Sequence, residues 1–157
     1  MDSIMYQSKQ LPLHRIRSDT IRYAYGALEG DPDHALEAVS GITGRFAIVD
    51  VSTDDPDGYR FLHFGRDMHR KSELSLWMGK RFSEIHDDRE YIENMTRDWQ
   101  VSIRDGNPVY FNVETTIWDH FYLYERLCFP LPFKRNERAT TLIILSQLRL
   151  FGSFHHA

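Results

Sequence analysis

The spacing of apolar positions predicts a long helix in the second half of the chain. Four apolar side chains recur there every three or four residues and share one helical face: Ile92, Met95, Trp99 and Ile103. We expect this helix over residues 88–105, with Asp87 as its N-cap and Glu90 completing a capping box. It should end near Gly106, which tolerates a left-handed cap, and before Pro108, which cannot extend a helix.

The same spacing predicts two shorter helices nearer the N-terminus. One face of the first carries Ile21, Ala24, Tyr25 and Leu28. This helix should close at Gly30, and the second should run from Pro32 to Gly41. The pair forms a helical extension over residues 18–44, which can pack on the chain's own sheet or on a second subunit. Residues 1–17 have no clear period, so we expect a flexible arm.

Five runs rich in β-branched and aromatic residues predict strands at 46–51, 59–64, 108–116, 119–130 and 140–148. The last run is almost entirely apolar, which is typical of a central strand. Residues 66–85 predict two or three brief helices, because Gly79 interrupts any longer one. Strands on both sides of a helical segment indicate an α+β fold, with helices packed on one face of an antiparallel sheet.

Composition narrows the class of protein. A chain of 157 residues with 41% hydrophobic and 27% charged residues fits one globular domain. The net charge of −4 and the lack of a basic block argue against nucleic acid as a partner. The sequence has no apolar run near the roughly 20 residues that a membrane span needs, and its N-terminus does not resemble a signal peptide. We therefore expect a cytoplasmic protein without a membrane anchor.

Cys128 is the only cysteine, so the chain can form no internal disulfide, as expected in a reducing compartment. Its position inside a predicted strand favours the role of a small hydrophobic residue over a redox role.

Four segments occur in order along the chain: 47–51, 59–65, 104–110 and 124–131. The last reads Tyr-Glu-Arg-Leu-Cys-Phe-Pro-Leu. It is similar to the Tyr-Glu-Arg-Leu-x-x-Pro-Leu strand of short stand-alone bacterial PAS proteins. Over roughly residues 20–149 the chain resembles a PAS domain of that type.

The resemblance implies a PAS-like domain at residues 45–150, followed by a tail at 151–157. Its five strands, numbered in chain order, would form an antiparallel sheet in the order 2-1-5-4-3, with helices that enclose a cavity. Such domains bind small molecules or cofactors, dimerise through N-terminal helices, or signal to a protein partner. We expect a homodimer through the helix at 18–29, with three interface residues: Ile21, Tyr25 and Leu28. No kinase, cyclase or DNA-binding segment follows the fifth strand, so its output should be non-covalent.

Five apolar side chains are candidates for the walls of the cavity: Trp77, Met78, Phe82, Met95 and Trp99. Their spacing equally describes a filled core. Arg126 is the candidate polar contact for a ligand. Strand alternation puts it on the face opposite Phe121, Leu123, Glu125, Leu127 and Phe129. That second face is the more apolar, so the alternation favours an Arg126 that points outward and pairs with a carboxylate across the sheet.

The sequence gives little evidence for a bound cofactor, a metal site or a catalytic site. His69 and His86 are the nearest candidates for a haem ligand, and no cysteine lies where flavin-binding members carry theirs, so neither cofactor is favoured. His155 and His156 are too isolated for a metal site. An acid/base pair would have to come from His63, Asp67, His69, Glu84, His86 and Asp87. Their spacing singles out no nucleophile or base.

The sequence therefore predicts a sensory or signalling module of the PAS type, which binds a small ligand or a signalling protein, and not an enzyme. A protein-interaction scaffold with a filled cavity remains the first alternative, and a small α+β enzyme the second.

Overall fold

The structure is a computed structural model that describes residues 5–68, 76–85, 89–117, 120–134 and 136–153. Within them lie six strands: β1 (Met5–Leu11), β2 (Phe46–Asp50), β3 (Arg60–Phe64), β4 (Val109–Ile117), β5 (His120–Leu131) and β6 (Thr141–Ser153). The α-helices of the same residues are α1 (Asp19–Gly30), α2 (Ala35–Ser40) and α3 (Arg89–Asp105). Short 3₁₀ turns occur at Leu13–Arg15, Pro32–His34, Pro56–Gly58 and Phe82–Glu84. None of these helices is long and apolar enough to cross a membrane.

The strands form one antiparallel sheet in the order β1-β4-β5-β6-β2-β3. The five predicted strands are β2 to β6, and their order along this sheet is the predicted one. β6 is central to them, between β5 and β2, as its apolar sequence indicated. It also continues through Ser153, into the segment expected to be a tail.

The predicted number of strands is wrong, because residues 5–11 form a sixth strand instead of a flexible arm. β1 pairs with β4 at the edge of the sheet, from Met5 opposite Thr116 to Leu11 opposite Tyr110. The Thr115 hydroxyl also donates a hydrogen bond of 2.8 Å to the Met5 carbonyl. Most side chains of β1 are exposed or half-buried, so this strand carries no apolar period that a sequence reading detects.

The expectation of helices on one face of the sheet is also wrong. Alternate residues of a strand point to opposite faces, and here both sets are buried. Leu127 and Phe129 pack with α1 and α2, whereas Cys128 packs with α3. The sheet is therefore the middle layer of three.

The N-terminal helices pack on the chain's own sheet, which answers the choice that the sequence left open. Ser18 caps α1 by accepting a hydrogen bond of 3.1 Å from the backbone N–H of Ile21. Ile21 is 1% exposed and Leu28 is 0% exposed, so neither is available to a second subunit. Tyr25 is half-buried, with its ring centroid 6.0 Å from that of Phe129. The homodimer stays a prediction, but its assignment to the face of Ile21 and Leu28 is not compatible with this packing.

The apolar stripe of α3 is buried as predicted, and the end of this helix is fixed by a loop. Gly106 has a φ of +66°, and a Cβ there would lie 2.2 Å from the Lys134 carbonyl oxygen, so glycine is required. The backbone N–H of Asn136 donates to the Asp105 carbonyl at 2.7 Å, which caps the helix. The predicted N-cap, Asp87, lies outside the described residues. Of the stretch 66–85 that was expected to form brief helices, residues 69–75 also lie outside the described residues; the rest contains turns at 66–68 and 76–79 and a 3₁₀ turn at Phe82–Glu84.

Candidate functional site

A cavity of about 120 Å³ lies between α3 and the sheet. Its walls include seven aromatic residues: Phe61, Phe64, Trp77, Tyr91, Trp99, Tyr122 and Tyr124. Phe61 and Trp77 are stacked, with centroids 6.0 Å apart and an interplanar angle of 20°. Trp99 meets Phe61 edge-on at 6.1 Å. Met68 and Met95 add flexible side chains to the wall.

Four of the six candidate ligand contacts meet at this cavity: Trp77, Met95, Trp99 and Arg126. Phe82 does not line it but stands behind the wall, with its ring centroid 5.0 Å from that of Phe61 and 5.8 Å from that of Trp99. Met78 is half-buried against the same core. The structure thus brings the predicted set to one place, with Phe82 and Met78 as support for the wall.

Arg126 faces the interior, and the expectation that it points outward is wrong. Its side chain is 2% exposed. The alternation argument assumed that one face of the sheet is solvated, but α1 and α2 cover the other face too. Glu125 is therefore buried as well, on the side of α1, where Oε1 accepts hydrogen bonds from the backbone N–H groups of Arg17 and Ser18 at 3.0 and 3.1 Å.

The guanidinium of Arg126 is held by two tyrosines. Nη1 donates to the Tyr6 hydroxyl and Nη2 to the Tyr124 hydroxyl, both at 2.6 Å. The guanidinium carbon also lies 5.2 Å from the centroid of the Tyr124 ring, within the range of a cation–π contact. The closest carboxylate contact is longer, at 3.5 Å from Nη1 to Oδ2 of Asp98. The geometry fixes the direction of the guanidinium and pairs its charge with one carboxylate, at a longer distance than its hydrogen bonds to the tyrosines.

Asp98 is occupied by other donors. Its Oδ2 accepts a hydrogen bond of 2.6 Å from the Tyr6 hydroxyl, and its Oδ1 accepts one of 2.7 Å from Ser8. Both donors come from β1, so the edge strand that the sequence missed completes this polar cluster. Burial raises the pKa of Tyr6 and of Tyr124 well above the usual value, although Arg126 opposes the rise. Both tyrosines therefore remain neutral acceptors toward Arg126.

Three residues that line the cavity each carry a buried side-chain nitrogen with no hydrogen-bond partner: Nε of Arg45, Nε1 of Trp99 and Nε of Arg126. Each carries an N–H that can only donate. The lining in the described part of the chain includes two arginines and no carboxylate. The site is thus rich in donors and positively charged.

Sequence reasoning missed Arg45, Tyr6 and Asp98. Arg45 directly precedes β2, where nothing local distinguishes it from a surface residue. Tyr6 and Asp98 are 92 positions apart, and only the pairing of β1 with β4 brings them together. These three residues can be recognised as part of one site only when the topology of the sheet is known.

The described parts of the chain place none of His63, Asp67 and Glu84 in the lining of the cavity. They contain no group of three His, Cys, Asp or Glu side chains placed to hold a metal ion. His63 stacks on Phe46 at 5.6 Å, and Glu84 accepts a hydrogen bond of 3.2 Å from the Arg81 N–H within its own turn. His69, His86 and Asp87 lie outside the described residues, as do His155 and His156.

Cys128 is fully buried in the same hydrophobic core as Trp77 and Trp99 of the cavity wall. Burial raises the pKa of its thiol to about 12, and the nearby Arg126 only partly opposes this. The thiol is therefore protonated at neutral pH, as expected for a small hydrophobic residue.

Comparisons of the chain with family models, with curated proteins and with solved structures find no match.

Proposed function

We propose that this chain is a sensory or signalling module of the PAS type, which binds a small ligand in the cavity beneath α3. It signals without covalent chemistry, through contacts with a protein partner or a second copy. The observation that carries the proposal is a space of about 120 Å³ with seven aromatic residues in its walls, and with three buried N–H groups among its lining residues that lack acceptors.

A filled core accounts poorly for this space. Protein interiors are packed closely, with few voids larger than a water molecule, and one water needs only about 10–15 Å³. The cavity is several times larger. Each buried donor without a partner also destabilises the folded state by about 1–3 kcal/mol. A ligand that fills the space and accepts from these donors removes both penalties, which favours a binding site over a scaffold.

The arrangement of the strands supports the resemblance. Along the sheet, β3-β2-β6-β5-β4 follows the order that a PAS domain implies, and the cavity lies between this sheet and α3. β1 and the pair α1 and α2 are additions to that pattern.

The route of the signal follows from the polar cluster. Tyr6 belongs to the edge strand β1 and touches both Arg126 and Asp98. A ligand that draws Arg126 toward itself weakens the contact with Tyr6 and shifts the balance between docked and released β1. The exposed edge of β4 is then the surface that a partner reads.

Native mass spectrometry of the purified protein tests the binding function. We expect an added mass that is lost on denaturation. The variant Ala47→Ile places three further carbons and a branched side chain in the cavity wall and should abolish this adduct. The same substitution at Ala38, half-buried on α2 across the sheet, should retain it. A bare chain whose melting temperature is also unchanged by a library of small ligands would favour the scaffold.

A further inference from the structure

We infer that the ligand is a small monocarboxylate with a planar, apolar body, about the size of benzoate. This inference rests on the proposed ligand-binding function and assigns the cavity a ligand class.

The positive charge at the cavity favours an anionic ligand. Arg126 is almost fully buried, and a buried charge is costly unless a counter-charge lies close to it. Its near acceptors are the neutral hydroxyls of Tyr6 and Tyr124. Asp98 is 3.5 Å away and shares its charge with two hydroxyl donors. Arg45 adds a second positive charge to the wall. Among the described residues, the cavity therefore has two guanidinium groups in its wall and one carboxylate beside it, which leaves a net positive charge.

The hydrogen-bonding groups agree with the charge. Every buried polar side-chain atom that lacks a partner in the described residues is an N–H donor, and all three belong to the lining of this cavity. A carboxylate accepts only, through two oxygens and about four lone pairs. A primary ammonium would add further donors and a like charge. The site thus selects an acceptor over a donor.

The walls of the cavity determine the size, shape and polarity of the rest of the ligand. Most lining side chains are aromatic or aliphatic, and Phe61 and Trp77 present stacked faces. Aromatic rings pair favourably in offset-stacked and edge-to-face geometries. Protein cavities of about 150 Å³ accept a benzene molecule, which is close to the volume here. A single ring fills this space, which is partly open to solvent, whereas a nucleotide or a haem is too large.

Isothermal titration of the purified protein with three ligands of one shape tests the inference. Benzoate carries the anion, benzamide is its neutral analogue, and benzylamine is the cation. We expect benzoate to bind at least tenfold more tightly than benzamide, because a hydrogen bond between an arginine and a carboxylate is stronger than one between an arginine and a neutral amide. Benzylamine should show no binding.

Variants locate the site. Arg126→Gln and Arg45→Gln should each weaken benzoate binding at least tenfold. Arg22→Gln on α1 removes the same charge at an exposed position on the other side of the sheet, and should leave the affinity unchanged. Circular-dichroism melts confirm that each variant is folded. If Arg126→Gln does not fold, the half-buried Arg45 still provides the test.

The outcomes separate this inference from the function on which it rests. If benzamide or benzylamine binds as tightly as benzoate, the cavity is a ligand site but the anion is wrong. Benzoate binding that both arginine variants retain overturns the assignment to this cavity. If none of the three ligands binds, the assignment of an anionic ligand is wrong. If, in addition, native mass spectrometry shows a bare chain and no small ligand changes its melting temperature, the proposed binding function is wrong too.

Discussion

Truncation of Ile21 to alanine tests whether α1 packs on the chain's own sheet. Ile21 is 1% exposed against Leu28, Phe129 and their neighbours. The change removes three buried carbons, which at ~0.8 kcal/mol each gives about 2.4 kcal/mol of lost transfer free energy. The cavity left behind adds to this, so we expect a loss of about 3 kcal/mol in the free energy of unfolding. Tyr23→Ala is the control on the same helix, because Tyr23 is 71% exposed; it should change stability by no more than ~0.5 kcal/mol.

Urea denaturation followed by circular dichroism measures both variants at two protein concentrations. Packing within one chain predicts a midpoint that does not depend on concentration, whereas a helix docked on a second subunit makes the midpoint rise with concentration. A loss below ~1 kcal/mol for Ile21→Ala, or a concentration-dependent midpoint in the unmodified protein, would refute the packing of α1 described above.

Three further predictions follow from buried polar groups. Glu125→Gln weakens the acceptor that binds the backbone N–H groups of Arg17 and Ser18, and should lower the free energy of unfolding by about 1–2 kcal/mol; an unchanged urea midpoint would contradict this. Burial and the Glu125 hydrogen bond raise the pKa of Tyr110 to about 12, above its unfolded value of about 10. The folded state therefore keeps this proton at a pH where the unfolded state loses it, so the free energy of unfolding should fall as the pH rises above about 10. Urea denaturation along a pH series should show a less steep fall for Tyr110→Phe than for the unmodified protein. Equal slopes would exclude a role for Tyr110. The Cys128 thiol, buried with its pKa raised to about 12, should react with a thiol reagent only after unfolding in guanidinium, and rapid reaction of the native protein would disprove its burial.

The sequence predicted the elements whose burial imposes a regular spacing. The stripe of α3 and the strands β2 to β6 each place apolar residues against a neighbouring layer, so their period is visible in the chain. The strand β1 was not predicted, because it is held by backbone pairing at the edge of the sheet and by the polar contacts of Tyr6 and Ser8. These interactions leave no apolar period in the sequence.

The orientation of β5 could not be read from its own sequence. Alternation gives two sets of side chains but does not say which face is covered. Here α1 and α2 cover the set that contains Glu125, and α3 covers the set that contains Arg126. The charged residue of each set is buried with hydrogen-bond partners from distant segments, and such partners depend on tertiary contacts.

In the candidate site too, some residues could be predicted from local patterns, whereas others depend on tertiary contacts. Trp77, Met95, Trp99 and Arg126 were selected from local patterns, and all four line the cavity. The balance of charge around Arg126 depends on Asp98, and the donor surplus depends also on Arg45. Both facts concern residues far apart in the chain, so only the folded structure joins them.

A crystal structure of the protein with bound benzoate tests the central claim most directly. We predict the ring between α3 and the sheet, against Trp77 and Phe61, with a carboxylate oxygen about 2.7–3.2 Å from a nitrogen of the Arg126 guanidinium. Benzoate bound elsewhere on the molecule, or a cavity closed by the protein's own side chains, would contradict the claim.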